Sequence, residues 1–154
     1  MDQLNLHNQQ IAGCLRRLFA SVYDWLLVIA LMMLLSVPFV ALSDDAIAPG
    51  NNLYRVGLLL IATVFFSAFW TMGGQTLGMK AWRLQLVTAA GYPVSYRQAL
   101  LRFAYACISA LPGGLGFWWL LWDRDRLSWH DRWSGTTIVL LPKKAKASGG
   151  RNDP

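Results

Sequence analysis

The chain has 154 residues, of which 55% are apolar and only 14% charged, against roughly 25% charge in an ordinary soluble domain, and this shortage points to lipid and away from a soluble globular protein. All eight acidic residues are Asp, so surface helices rich in Glu and Lys are scarce. The net charge of +6 would suit nucleic acid, but Lys and Arg flank apolar segments instead of forming one stripe, so the expected partner is the lipid bilayer and not nucleic acid.

Residues 1–12 form a polar tail rich in Gln and Asn. Leu18 to Leu42 is then apolar apart from Asp24. Its 25 residues make a helix of about 37 Å, enough to cross a hydrocarbon core of about 30 Å with some tilt. The predicted helix covers about 14–42, with Pro38 a candidate kink at its far end. The competing reading is a cleaved signal peptide with Arg16-Arg17 as its basic start, but the apolar stretch far exceeds a signal core of about 7–15 residues. The loop from Ser43 to Asn52 holds Asp44, Asp45, Pro49 and Gly50, and a second spanning helix is predicted over about 53–72, stopped by Gly73-Gly74.

From Lys80 to Val87 apolar and polar residues nearly alternate, which predicts a short strand or ribbon ending in the turn Ala90-Gly91-Tyr92-Pro93. Ser95, followed three residues later by Gln98, is a capping-box pattern that starts a helix near Tyr96. That helix, about 96–111, is interrupted by Pro112-Gly113-Gly114-Leu115-Gly116 before a second apolar run over 115–122. If 103–122 is continuous it is a third transmembrane helix. If it folds back at the glycines, each arm reaches only part-way, as a re-entrant hairpin.

Charge favours the hairpin. It keeps 13 of the 14 basic residues on the inner side, whereas a span exports Arg124, Arg126, Arg132, Lys143, Lys144, Lys146 and Arg151. Trp118, Trp119, Trp122, Trp129 and Trp133 form an aromatic belt at the interface. The β-branched run Gly135-Thr136-Thr137-Ile138-Val139 is a candidate partner for the 80–87 strand, and 142–154 reads as a basic, disordered tail. The expected architecture is therefore an all-α membrane protein over 13–141, with two transmembrane helices, the broken hairpin or third span, and a short cytoplasmic β-ribbon. It is expected to be a multi-pass protein with both termini on the cytoplasmic side.

Asp24 is the residue with chemistry to explain, because a carboxylate within an apolar span costs about 2.5–3.5 kcal/mol if central. Arg17, seven positions earlier, shares its helix face but lies about 10.5 Å away along the axis. The expected counter-ions are therefore Arg102, or Arg132 and His130. Two readings stand: an ion or proton site, and a buried Asp–Arg pair that fixes helix packing. Asp131, flanked by His130 and Arg132, reads by itself as a surface charge. Asp123-Arg124-Asp125-Arg126 reads as solvated charge at the headgroup boundary, and His7 and the Gly74-to-Gly78 spacing as tail and turn. Cys14 and Cys107 read as unpaired. No P-loop, nucleophile elbow or metalloprotease helix occurs, so neither an enzyme nor a metal or other cofactor is expected.

Four stretches together resemble the RDD family of small, mainly bacterial membrane proteins, named for an Arg and two Asp. They are Arg17-Leu18-Phe19-Ala20 with Asp24; Gly74-Gln75-Thr76-Leu77-Gly78-Met79-Lys80; Arg97 to Arg102; and His130-Asp131-Arg132-Trp133-Ser134-Gly135-Thr136. Leu77 departs from the family, whose members commonly have Pro there. The resemblance implies that Arg17, Asp24 and Asp131 are the name-giving residues, and it draws Asp131 into a polar cluster with Arg102, Arg132 and His130. It also implies a role in moving an ion or solute, a small cation being the candidate cargo. A protomer this small, without internal repeats, is expected to form a homo-oligomer or to join a membrane-protein partner. As an accessory subunit or assembly factor, it would use the same polar residues to lock the fold.

Overall fold

The computed structural model describes residues 11–41, 51–124 and 127–142. Residues 1–10 of the expected polar tail, 143–154 of the expected basic tail and the Ser43–Gly50 part of the first loop lie outside the described residues, as do Asp125 and Arg126; Ile11 and Ala12 are not tail but pair with Val139 and Ile138, with Ala12 buried. Helix α1 spans Cys14–Ala41 and helix α2 spans Asn52–Gly73. Both are long and apolar enough to cross a membrane, with mean hydropathy of 2.2 and 1.9 over their most apolar stretches. Only 11% and 17% of those stretches are buried, whereas a core helix of a soluble protein would be mostly covered. In α1 the buried residues are Arg17, Ala20, Asp24 and Val28, one narrow stripe at helical spacing. The helix continues past Pro38 to Ala41.

Helix α2 starts with the Asn51 side chain accepting from the Tyr54 amide. It ends where Gly74 takes a left-handed conformation, φ 68°, that a side chain would strain. A short helix, α3 (Leu77–Ala81), follows and then strand β1 (Leu84–Thr88). This corrects the expected strand over 80–87. Thr76 caps α3 by accepting from the Met79 amide, so Lys80 and Ala81 are helical and the strand begins only after Arg83. Helix α4 (Tyr96–Ala110) opens on the reciprocal Ser95–Gln98 capping box expected from the sequence.

The chain reverses over residues 111–114, where Gly113 and Gly114 have φ of 66° and 80°. Helix α5 (Leu115–Trp118) and a 3-10 turn (Trp119–Leu121) complete the second arm. The arms meet where Gly116 lies on Ser109, so closely that a Cβ on Gly116 would stand 2.5 Å from the Ser109 Cβ. Helix α6 (Trp129–Ser134) and strand β2 (Thr136–Leu140) follow. Strand β2 pairs antiparallel with β1, with Leu86 opposite Ile138.

The start of α1, the end of α2, the two-stranded sheet and α6 all lie at one end of the molecule. The Ala12 amide donates to the Ile138 carbonyl and the Leu86 amide to the Gly74 carbonyl. A small core of Ala12, Ala20, Met79, Leu84, Leu86, Val94 and Ala99 fills this end, while Val28, Ala62 and Phe66 form a second cluster between α1 and α2. Helix α4 stops at Ala110 and α5 begins only at Leu115, so 103–122 is not one continuous helix.

Candidate functional site

Asp131 is the third residue of α6, where its carboxylate reaches back to accept from the Ser128 amide at 3.1 Å and secures the helix start. That arrangement buries the carboxylate, which is 1% exposed. Its Oδ2 accepts from Arg17 Nη1 at 2.7 Å. Its Oδ1 lies 2.6 Å from Arg102 Nη1, as an ion pair without the direction of a hydrogen bond. Arg17 also donates from Nε to the Ala12 carbonyl and from Nη2 to the Ile138 carbonyl. Arg102 donates to the Thr136 hydroxyl at 2.6 Å, and its guanidinium lies over the Trp70 ring, 5.4 Å from the centroid. One carboxylate thus joins α1, α4 and α6, and its two arginines extend the tie to β2 and α2.

Burial pushes the Asp131 carboxyl up, but the Arg102 and Arg17 guanidiniums outweigh it, and with the Ser128 amide they hold the group well below the usual carboxylate range. His130 sits beside the pair, with Nε2 3.0 Å from the Ser128 hydroxyl and 3.9 Å from Asp131 Oδ1. Burial and the nearby Arg102 lower its pKa to about 3, so the imidazole is neutral at pH 7.

Asp24 is placed elsewhere, which corrects the expectation that Arg102, Arg132 or His130 neutralises it. Its Oδ1 accepts from the Gly78 amide at 2.8 Å and its Oδ2 from the Thr76 hydroxyl. Among the described residues no basic side chain forms an ion pair with it. Neutral donors at the start of α3 satisfy it instead, and both donors follow from the local sequence. Gly78 is pressed so closely onto α1 that a Cβ there would lie 2.3 Å from the Ala20 carbonyl oxygen and 2.9 Å from the Asp24 carboxyl carbon.

Arg132 also leaves the expected cluster. It pairs with Asp123 near the surface, and Asp123 accepts from the Leu127 amide as well. Of the six residues singled out from the sequence, Arg17, Arg102, His130 and Asp131 come together, and Asp24 and Arg132 do not join them. Sequence reasoning missed Thr76, Gly78, Ser128 and Thr136. Ser128 followed three residues later by Asp131 is a capping pattern, and it marks Asp131 as the anchor of a helix start. Both cysteines are free, and no group of potential metal ligands occurs among the described residues.

The family model for the RDD family matches residues 11–135. The chain belongs to the RDD family. No curated protein and no solved structure is significantly similar to it. The matched stretch runs from the α1 start through α6. It therefore holds Arg17, Asp24 and Asp131 along with every hydrogen-bond partner named above except the Thr136 hydroxyl and the Ile138 carbonyl of β2. In this RDD protein, one of the two aspartates is an arginine-bound junction and the other a hydrogen-bonded helix cap.

Proposed function

We propose that this RDD protein is a non-catalytic subunit or assembly factor of a bacterial cytoplasmic membrane, working as a homo-oligomer or with a membrane-protein partner. The observation that carries this reading is the use of its buried charges. Arg17, Arg102 and Asp131 end on one another, on Thr136 and on backbone carbonyls, so they lock the fold. Little of α1 and α2 is covered by the protomer itself, leaving apolar faces for lipid or another protein.

The orientation follows from charge. The end carrying Arg16, Arg17, Lys80, Arg83, Arg97 and Arg102 is the cytoplasmic one, and Arg55 is at the start of α2 on the opposite side. At about 1.5 Å per residue, α4 is about 22 Å long and α5 far shorter, so the hairpin enters the bilayer part-way. Its exposed Leu111, Trp118 and Trp122 suit the boundary between acyl chains and headgroups. The test is the mass of the particle released by mild detergent. A stable assembly larger than the 17.3 kDa protomer is expected, and a solitary protomer recovered under every mild condition would sink the reading.

The second reading, movement of a cation or small solute, rests on Asp24. This carboxylate lies inside a spanning helix, is 3% exposed and is held by neutral donors, so among the described residues no fixed cation opposes its protonation or its pairing with a cargo ion. Liposome flux decides between the two. Sodium- or proton-coupled movement abolished by Asp24→Asn favours transport, and absence of flux or a fully active Asp24→Asn protein removes it.

A further inference from the structure

We infer that the corner where α3 meets the first turns of α1 is a binding site for the headgroup phosphate of an anionic phospholipid, with Arg16, Lys80 and Arg83 as its cations beside the Phe19–Trp82 ring stack. The site requires only that α1 crosses a bilayer, so it stands apart from the choice between subunit and transporter. The two rings lie 5.2 Å apart and nearly parallel, at 15°. They fasten the end of α3 to the second turn of α1, yet Phe19 and Trp82 remain 51% and 38% exposed. Leu15 and Leu18 on the same turns of α1 are exposed too. An exposed aromatic step at the end of a spanning helix suits the boundary between acyl chains and headgroups. Three cations adjoin it. Arg16 stands three residues before Phe19, as its neighbour on the surface of α1. Lys80 and Arg83 flank Trp82, the cap residue of α3. Among the described residues none of the three forms an ion pair, whereas Arg17 and Arg102 meet Asp131 and Arg132 meets Asp123. Asp24, the remaining described carboxylate, is buried and held by Gly78 and Thr76. The corner thus presents unopposed positive charge at the level where a leaflet carries its phosphates, and such a juxtamembrane cluster attracts anionic lipid.

The backbone of Arg83 is a second, independent observation. With φ of 56°, Arg83 is the one non-glycine residue of positive φ among the described residues, in a conformation that sterics leave mainly to glycine. Its amide donates to the Lys80 carbonyl at 3.2 Å and its carbonyl accepts from the Leu141 amide at 2.8 Å. The turn is therefore held from both sides, and it keeps Arg83 next to Lys80. A glycine would fit the same turn without the strain. Strain tolerated at such a turn points to a use for the side chain that causes it, and here that side chain is a cation beside the aromatic step.

The test takes the purified full-length protein in neutral detergent, phosphatidylglycerol and phosphatidylcholine of identical acyl chains as probes, and native mass spectrometry as the readout. Phosphatidylglycerol should be retained about tenfold more strongly than phosphatidylcholine. That preference should fall severalfold in Arg83→Gly, and further when Lys80→Gln is added. Without lipid, Arg83→Gly should unfold at the same temperature as the parent or higher, because the turn is relieved. A clearly lower unfolding temperature would mean that the arginine serves the fold, and would overturn the site. So would equal retention of the two lipids, or an undiminished preference in the double variant. Complete loss of the preference on replacing Lys143, Lys144 and Lys146 by Gln, with the corner intact, would place the charge in the tail and overturn it as well. Displacement of phosphatidylglycerol by millimolar inorganic phosphate would assign the site to free phosphate and against lipid.

Discussion

Replacing Asp131 by Asn leaves the guanidiniums of Arg17 and Arg102 buried without their shared counter-charge. The variant should lose about 3–5 kcal/mol, the usual consequence of removing one partner of a buried pair, read as a large drop in unfolding temperature in detergent. Asp24→Asn should cost less, about 1–3 kcal/mol, because only a hydrogen-bonding pattern with Gly78 and Thr76 is disturbed. A larger loss for Asp24 than for Asp131 would contradict the assignment of the junction. Acid adds a separate test. The folded pKa of His130 is depressed to about 3, below an unfolded value of about 6.5, so between these limits the unfolded chain binds the extra proton. Stability should fall as pH drops from about 6.5 towards 3. His130→Phe should flatten that part of the profile. Asp131 shifts in the same sense. Its contribution is present above the unfolded carboxylate value and is lost as pH falls towards its lower folded value.

At the scale of elements, two glycines allow close crossings that larger residues would prevent. A side chain at Gly78 meets the Ala20 carbonyl and the Asp24 carboxyl, so Gly78→Ala should detach α3 from α1. At Gly116 the obstacle is Ser109 across the hairpin, and Gly116→Val should spread α4 and α5. Proteolysis in detergent would report both, as new cleavage near 74–83 for the first variant and near 111–116 for the second. Unchanged digestion would show that these crossings are softer than the geometry implies. Two helix limits were legible in local chemistry: Gly73-Gly74 marks where α2 stops, and Ser95 with Gln98 where α4 starts. Helix α3 was not, because its five residues are too short for a periodic signal and Lys80-Ala81-Trp82-Arg83 mimics alternation.

For the whole molecule, the return of α6 to the start of α1 makes topology measurable. With Cys14 and Cys107 replaced by Ala, single cysteines at Arg16, Arg97 and Arg124 should share one accessibility to an impermeant thiol reagent in intact cells, and one at Asn52 should show the opposite. Labelling of position 124 from the side of Asn52 would require a third span and break the Arg17–Asp131 contact.

Composition and the lengths of the two apolar runs were enough to determine a membrane protein with two long helices, because lipid demands about 20 consecutive apolar residues and the chain supplies them twice. Cap and turn residues likewise determined where α2 ends and α4 begins, since those interactions lie within four residues of one another. Which arginine meets which aspartate was decided only by tertiary structure. Arg17 and Asp131 are 114 positions apart, and nothing local links them. Asp24 seemed to need a cation, yet the fold brings it the Gly78 amide and the Thr76 hydroxyl across 54 and 52 positions. A carboxylate can be satisfied by charge or by hydrogen-bond donors, and only the packing of α3 against α1 selects the donors.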